Sequence, residues 1–131
     1  MIFLDTDVIS YYYNNDERIK TKLLEAIDND EIICITTMNI YEVFKGLKWR
    51  SNKQFEKDFL DFIEDKPVFP LDDYAINIAT EIYAGLRRKG ITIGDVDIFI
   101  AAIVIANNGT LVTNNTKHFE SIEQLKVVNW V

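Results

Sequence analysis

An α/β domain with a central, mostly parallel sheet of four to five strands, flanked by helices in three layers (α/β/α), is the fold this sequence predicts. Three observations carry that prediction. Short β-branched runs alternate with segments whose apolar residues recur at helical spacing, the order that gives parallel strands joined by crossover helices. The 131 residues contain no repeat, linker or low-complexity stretch, so 1–131 reads as a single domain long enough to bury a core. The composition, 48% hydrophobic and 12% aromatic, is too apolar for a disordered chain.

The elements follow in order. Residues 1–5, MIFLD, form a short buried strand whose exit is Asp5–Thr6. Asp5 and Asp7 either cap the next helix or are held together to bind a cation. From Glu17 to Asn29, Ile19, Leu23, Ala26 and Ile27 mark one helical face. EIICITT is β-branched and too short for a helix. Thr37 or Asn39 caps the helix IYEVFKGLKW, with Gly46 near its end. Phe55, Phe59, Phe62 and Ile63 stripe another helix, which must stop before Pro67. PVFPL is a brief extended piece. Asp72 or Asp73 caps a long helix with Ala75, Ala79, Ile82 and Leu86 on one face, ending around Gly90. DVDIFIAAIVIANNG has the β-branching of a strand. Its length, Ala101–Ala102, the acids in front and the Asn-Asn-Gly stop make it a buried helix. TLVT and KVVNWV close the chain as strands.

The formal charge of −7, from 21 acidic and 14 basic residues, argues against binding nucleic acid by global attraction. Local contact is a separate matter. Lys45, Lys48, Arg50 and Lys53 form one basic cluster and Arg87, Arg88 and Lys89 another. Each is either a solvated helix end, where cations suit the dipole, or a patch that holds phosphates. The longest apolar run, Ile98–Ala106, is far short of the roughly 20 residues that span a membrane. No signal-peptide pattern precedes the first strand. Cys34, the one cysteine, reads as a small buried hydrophobe in a reducing cytoplasm. His118, the one histidine, reads as a loop or helix-end residue, and alone it makes no zinc site.

In open α/β sheets, ligands collect beyond the carboxyl ends of the strands. Asp5 and Asp7 leave the first strand there, and Glu42 lies in the first turns of the helix after the second. Asp95 and Asp97 begin the buried helix, and Asn114, Asn115 and Thr116 follow TLVT. Singly, each acid has an ordinary use as a cap, a first-turn acid or a surface residue. Jointly, they are predicted to converge at one edge, where like charges raise one another's pKa. A hard divalent cation, Mg²⁺ or Mn²⁺, removes that cost and accepts carboxylate oxygens with water.

MIFLDTDVIS, YEVFKGL, IGDVDIFIAA and LVTNNTKHF occur in this order. With the chain length, they resemble the PIN-domain ribonucleases of the VapC toxin type, from Met1 through the final strand. The resemblance implies a metal-dependent endoribonuclease that hydrolyses RNA phosphodiester bonds with water as nucleophile. It carries the family's acids onto Asp5, Glu42 and Asp97, with Thr6 and Thr113 as supporting hydroxyls. Asp5 and Asp97 would hold the metal. Glu42 would ligate it directly or through water and help take up the nucleophile's proton. Two positions depart from the pattern: the residue after Asp5-Thr6, usually Asn, is Asp7, and a fourth acid falls at about Asn115, an amide. Asp95 would supply the missing charge. One well-held Mg²⁺ and a second recruited with substrate is the implied arrangement. Asn115 and Thr113 would orient ligands, and Lys45, Lys48 and Arg87 would hold the RNA backbone. Tyr11, Tyr12 and Trp49 either stack on unpaired bases or pack in the core or an interface. The resemblance further implies a cognate antitoxin that wraps the domain and puts a basic side chain into the acidic pocket. A homodimer is expected through the exposed tyrosine-rich helix or the helical pair 37–64.

Two other classes fit in part. LDTDVI matches in outline the Asp-x-Asp motif of haloacid dehalogenase-like Mg-dependent phosphatases, with Asp5 as nucleophile and Asp7 as general acid. Ile9, the short chain and the unused Glu42 fit that reading poorly. The other is a non-catalytic interaction module of the same fold, lacking the metal.

Overall fold

The computed structural model describes residues Met1–Val131. Five strands, β1 (Ile2–Leu4), β2 (Ile33–Thr36), β3 (Val68–Phe69), β4 (Thr110–Val112) and β5 (Lys126–Val128), form one sheet in the order β3-β2-β1-β4-β5. Every neighbouring pair is parallel. Seven helices connect and cover them: α1 (Thr6–Tyr13), α2 (Glu17–Asp28), α3 (Thr37–Trp49), α4 (Lys53–Ile63), α5 (Asp73–Arg88), α6 (Asp95–Ala106) and α7 (Thr116–Phe119).

Strand alternation divides the core in two. Phe3 stands in register with Cys34 and Leu111, and all three point into the layer built by α5 and α6. Leu4, Ile33, Ile35 and Val112 point the other way, onto Val8, Ile9, Ile19, Leu23 and Phe59 of α1, α2 and α4. Strands covered on both faces lose the polar alternation of a half-exposed sheet, as parallel sheets do. The run 98–104 of α6 is buried at every position but Phe99, which explains its strand-like composition: a helix enclosed on all sides needs no polar face.

Three expectations shift. The cap of α3 is neither Thr37 nor Asn39 but Thr36, whose hydroxyl accepts from Asn39 N–H (3.1 Å) while Asn39 Oδ1 accepts from Thr36 N–H (2.9 Å). That reciprocal pair makes Asn39 the third helical residue of a capping box. Ile27 is half exposed, because Ile19, Leu23 and Ala26 suffice to seat α2. The tyrosines of α1 are partly buried rather than exposed, with Tyr12 against Phe62 at 4.9 Å between centroids. The cap of α5 is Asp72, which accepts from Ala75 N–H at 2.9 Å.

The turn from α6 into β4 passes beside the Phe3 ring at the amino end of the central strands. A Cβ built on Gly109 would lie 2.5 Å from Cε2 of Phe3, whose ring is fully buried and tilted against Phe69. Gly109→Ala is therefore expected to cost about 1–3 kcal/mol through overpacking. Urea unfolding should show a lower midpoint at an unchanged slope.

Candidate active site

The sheet order reverses between β1 and β4, and the crevice beyond their carboxyl ends is where α/β sheets bind ligands. Asp5 sits there. Its N–H still pairs with Val112 O at 2.9 Å, continuing the ladder, while its side chain turns to cap α1. Oδ1 accepts from Thr6 N–H at 2.9 Å, and Oδ2 accepts from the Thr113 hydroxyl at 2.8 Å. With 8% of its surface exposed, Asp5 is a buried carboxyl whose pKa is pushed up to about 6. Burial is the main cause. The Thr113 bond opposes it, and the negative charge of Asp7, then that of Asp97, adds to it.

Asp7 lies one residue into α1 and faces the loop after β4. Its Oδ2 accepts from Asn114 N–H at 3.1 Å, while its Oδ1 is buried without any partner. Burial raises its pKa too, and Asp97 contributes. Glu42 arrives by a relay of side chains. Asn39 Nδ2 donates to Thr6 Oγ1 (3.0 Å), and Thr6 Oγ1 donates to Glu42 Oε1 (2.7 Å). The capping box at the start of α3 fixes Asn39, and Glu42 follows three residues later on the same helical face. Asp97, in the first turn of α6, has its Oδ2 2.8 Å from His118 Nε2 on α7.

Of the expected acids, Asp5, Asp7, Glu42 and Asp97 thus occupy one end of the sheet, but on different terms. Asp5, Asp7 and Asp97 lie within electrostatic reach of one another, and Glu42 joins them through Thr6. No three acid, histidine or cysteine groups close around a single point. An open set of carboxylates with one orphaned buried oxygen, on Asp7, fits Mg²⁺ or Mn²⁺. Such ions keep several waters and take one or two protein carboxylates rather than a complete cage. Asp95 lies elsewhere: it lines a groove with Thr80 and Tyr83 of α5. Two residues along a helix point roughly 200° apart, so Asp95 turns away as Asp97 turns in. Asn115 is exposed and contributes its backbone, donating N–H to Thr113 Oγ1 at 3.0 Å.

The basic residues are dispersed. Lys45 lies over the Tyr41 ring and Arg87 over the Tyr83 ring, on separate helices. Lys48 is paired with Glu56 at 3.0 Å. Of the aromatics, Tyr11 accepts from Asn114 Nδ2 at 3.0 Å and Tyr12 is packed, whereas Trp49 is 89% exposed. Two contributors escaped the sequence reading. Asn39 was legible only as a possible cap, and His118 gave no signal, since its partner lies 21 positions away.

The raised pKa of Asp5 has a sign. A carboxyl harder to ionise when folded binds more protons in the native than in the unfolded state, so stability falls as pH rises. For Asp5 the loss runs from about pH 4 to just above 6 and amounts to about 3 kcal/mol in the metal-free chain. Denaturant titrations in chelator across that range should show it, and Asp5→Asn should flatten the profile.

Comparison with known proteins shows the family and supports the fold. The chain matches the PIN domain family over residues 2–125. It is 30% identical to Ribonuclease VapC2 of Rickettsia felis over 128 residues, 97% of this chain and 96% of that protein. It superposes on the Rickettsia felis VapBC2 structure bound to a promoter DNA fragment with a TM-score of 0.91 and 30% identity, covering 100% of both chains. The DNA-bound VapBC structure from Salmonella typhimurium gives 0.87 at 26% identity, covering 99% of this chain and 98% of that one. An all-parallel sheet with acids gathered at its switch point, matched over nearly the whole chain, makes this protein a member of the PIN-domain ribonuclease family of the VapC type.

Proposed function

We propose that this chain is a toxin that hydrolyses RNA phosphodiester bonds with Mg²⁺ or Mn²⁺ and is restrained by a cognate antitoxin. The observation that carries the reading is the gathering of Asp5, Asp7 and Asp97 at the β1–β4 switch point, with Glu42 tied in through Thr6. Asp5 and Asp97 would hold the cation, with Glu42 joining directly or through water. A divalent ion there offsets phosphate charge and makes water more acidic. Glu42, bonded by Thr6 through Oε1, keeps a second oxygen to accept the proton of the attacking water. Thr113 and Thr6 fix the orientation of Asp5 and Glu42, so neither need be reorganised when substrate enters.

Lys45 and Arg87, each over a tyrosine ring on its own helix, would meet the RNA backbone, and exposed Trp49 is the aromatic free to stack on a base. Lys48 is a weaker choice because Glu56 already partners it. The antitoxin reading draws on the VapBC complexes that this fold matches and on a groove with Ile9, Tyr13, Leu47, Phe55 and Phe59 as its apolar lining and Ser10, Asn14, Arg50 and Asn52 as its polar part. A homodimer is better served by the face of α5 that carries exposed Ile76 and Tyr83 than by the packed tyrosines of α1. No helix is long and apolar enough to cross a membrane. Action on cellular RNA beside an antitoxin, the reading proposed above, would take place in the cytoplasm. The phosphatase alternative needs Asp7 as an accessible general acid. Here one of its oxygens is buried and the other is bonded to Asn114 N–H. A non-catalytic module leaves unexplained why like charges are buried together.

The test is cleavage of total cellular RNA by the purified chain. Asp5→Ala, Glu42→Ala and Asp97→Ala should each lower the rate by about a hundredfold or more, with unchanged circular dichroism, and chelator should abolish it. Undiminished cleavage by all three variants would refute the assignment.

A further inference from the structure

We infer that His118 is a positioning residue for Asp97, holding one carboxylate oxygen so that the other faces the cation. The inference rests on the metal reading above and extends it to a residue outside the acidic set. Nothing on α6 itself fixes Asp97: the helix begins at Gly94, which supplies no side-chain cap, and the only side-chain partner of Asp97 is His118. The bond is short, 2.8 Å from Nε2 to Oδ2, and since a carboxylate can only accept, Nε2 carries the hydrogen.

The imidazole is itself held. Its neighbour Phe119 is 1% exposed and meets the imidazole edge to face at 5.2 Å, and His118 N–H donates to Asn115 O at 3.1 Å. Asn115 N–H in turn donates to Thr113 Oγ1, the hydroxyl that bonds Asp5. The segment 113–118 therefore braces both aspartates, Asp5 through a hydroxyl and Asp97 through a ring. Asp97 needs such a brace. Its side chain is one-third exposed, and it lies within electrostatic reach of the like charges of Asp5 and Asp7. A bonded Oδ2 leaves Oδ1 as a single, directed donor, the arrangement by which outer hydrogen bonds orient ligands and strengthen metal binding.

The experiment is calorimetric titration of the full-length chain with Mn²⁺ for the parent, His118→Ala, His118→Gln and His118→Met. Gln and Met are similar in length, but only Gln offers an N–H donor. The expected result is Mn²⁺ affinity about tenfold or more weaker in the Ala and Met variants. Gln should recover most of the loss, and metal-free thermal unfolding of Gln and Met should coincide. Ala and Met variants that bind Mn²⁺ as tightly as the parent, or more tightly because His118 had been competing for Asp97, would overturn the inference. Failure of Gln to exceed Met would also do so, and that comparison stands even if the Ala variant does not fold. A parent that binds no Mn²⁺ would remove the metal reading and this inference together. A parent that binds, with variants indistinguishable from it, would remove only the inference.

Discussion

The hydrogen bond from Thr113 to Asp5 joins the two central strands of the sheet where their ladder ends. Main-chain pairing between β1 and β4 stops at Asp5 N–H and Val112 O, and the next link outward is this side-chain bond. Both groups are buried, and without Thr113 the Oδ2 of Asp5 would have no hydrogen bond, which costs more than the bond itself yields. That constraint fixes one edge of the acidic centre and sets the loop after β4. The loop then brings Asn114 N–H to Asp7 and α7 to the start of α6.

The site carries a standing electrostatic cost. Burial and mutual repulsion both favour the neutral forms of Asp5 and Asp7, and a few donated hydrogen bonds only partly offset them. A protein optimised for stability alone would place apolar groups there. Retaining carboxylates at the crevice of a parallel sheet is the pattern expected where charge is used for binding or catalysis. The cost is confined to one end, because the two apolar layers on either side of the sheet are continuous and contain few polar groups.

Much of this was legible in the residues. The order of elements followed from periodicity, and the buried helix at 95–106 was recognisable by length and flanks despite its strand-like composition. The joint edge of Asp5, Glu42 and Asp97 followed from placing each at the carboxyl end of a strand or the start of a helix. What stayed hidden was side-chain contact between elements. Thr36 caps α3 because its hydroxyl reaches Asn39 N–H, a geometry that Thr37 mimics in composition but not in position. Helical spacing could have separated Asp95 from Asp97 beforehand, since residues two apart cannot share a face. No period encodes the meeting of Asp97 with His118, which depends on how α7 is carried by the last loop.

The strand order has a temporal consequence. β1 opens the domain, yet its partner β4 and the hydroxyl that completes Asp5 lie 108 positions later. A nascent chain can pair β1 with β2 early, but the acidic crevice has no second wall until β4 and the loop after it have left the ribosome. Long-range closure of this kind is slow compared with helix formation, and domains fold as units when their last elements arrive. The same topology that centres the site in the sheet also makes it the last part to assemble, so an interrupted translation product would carry the first aspartate without the means to use it.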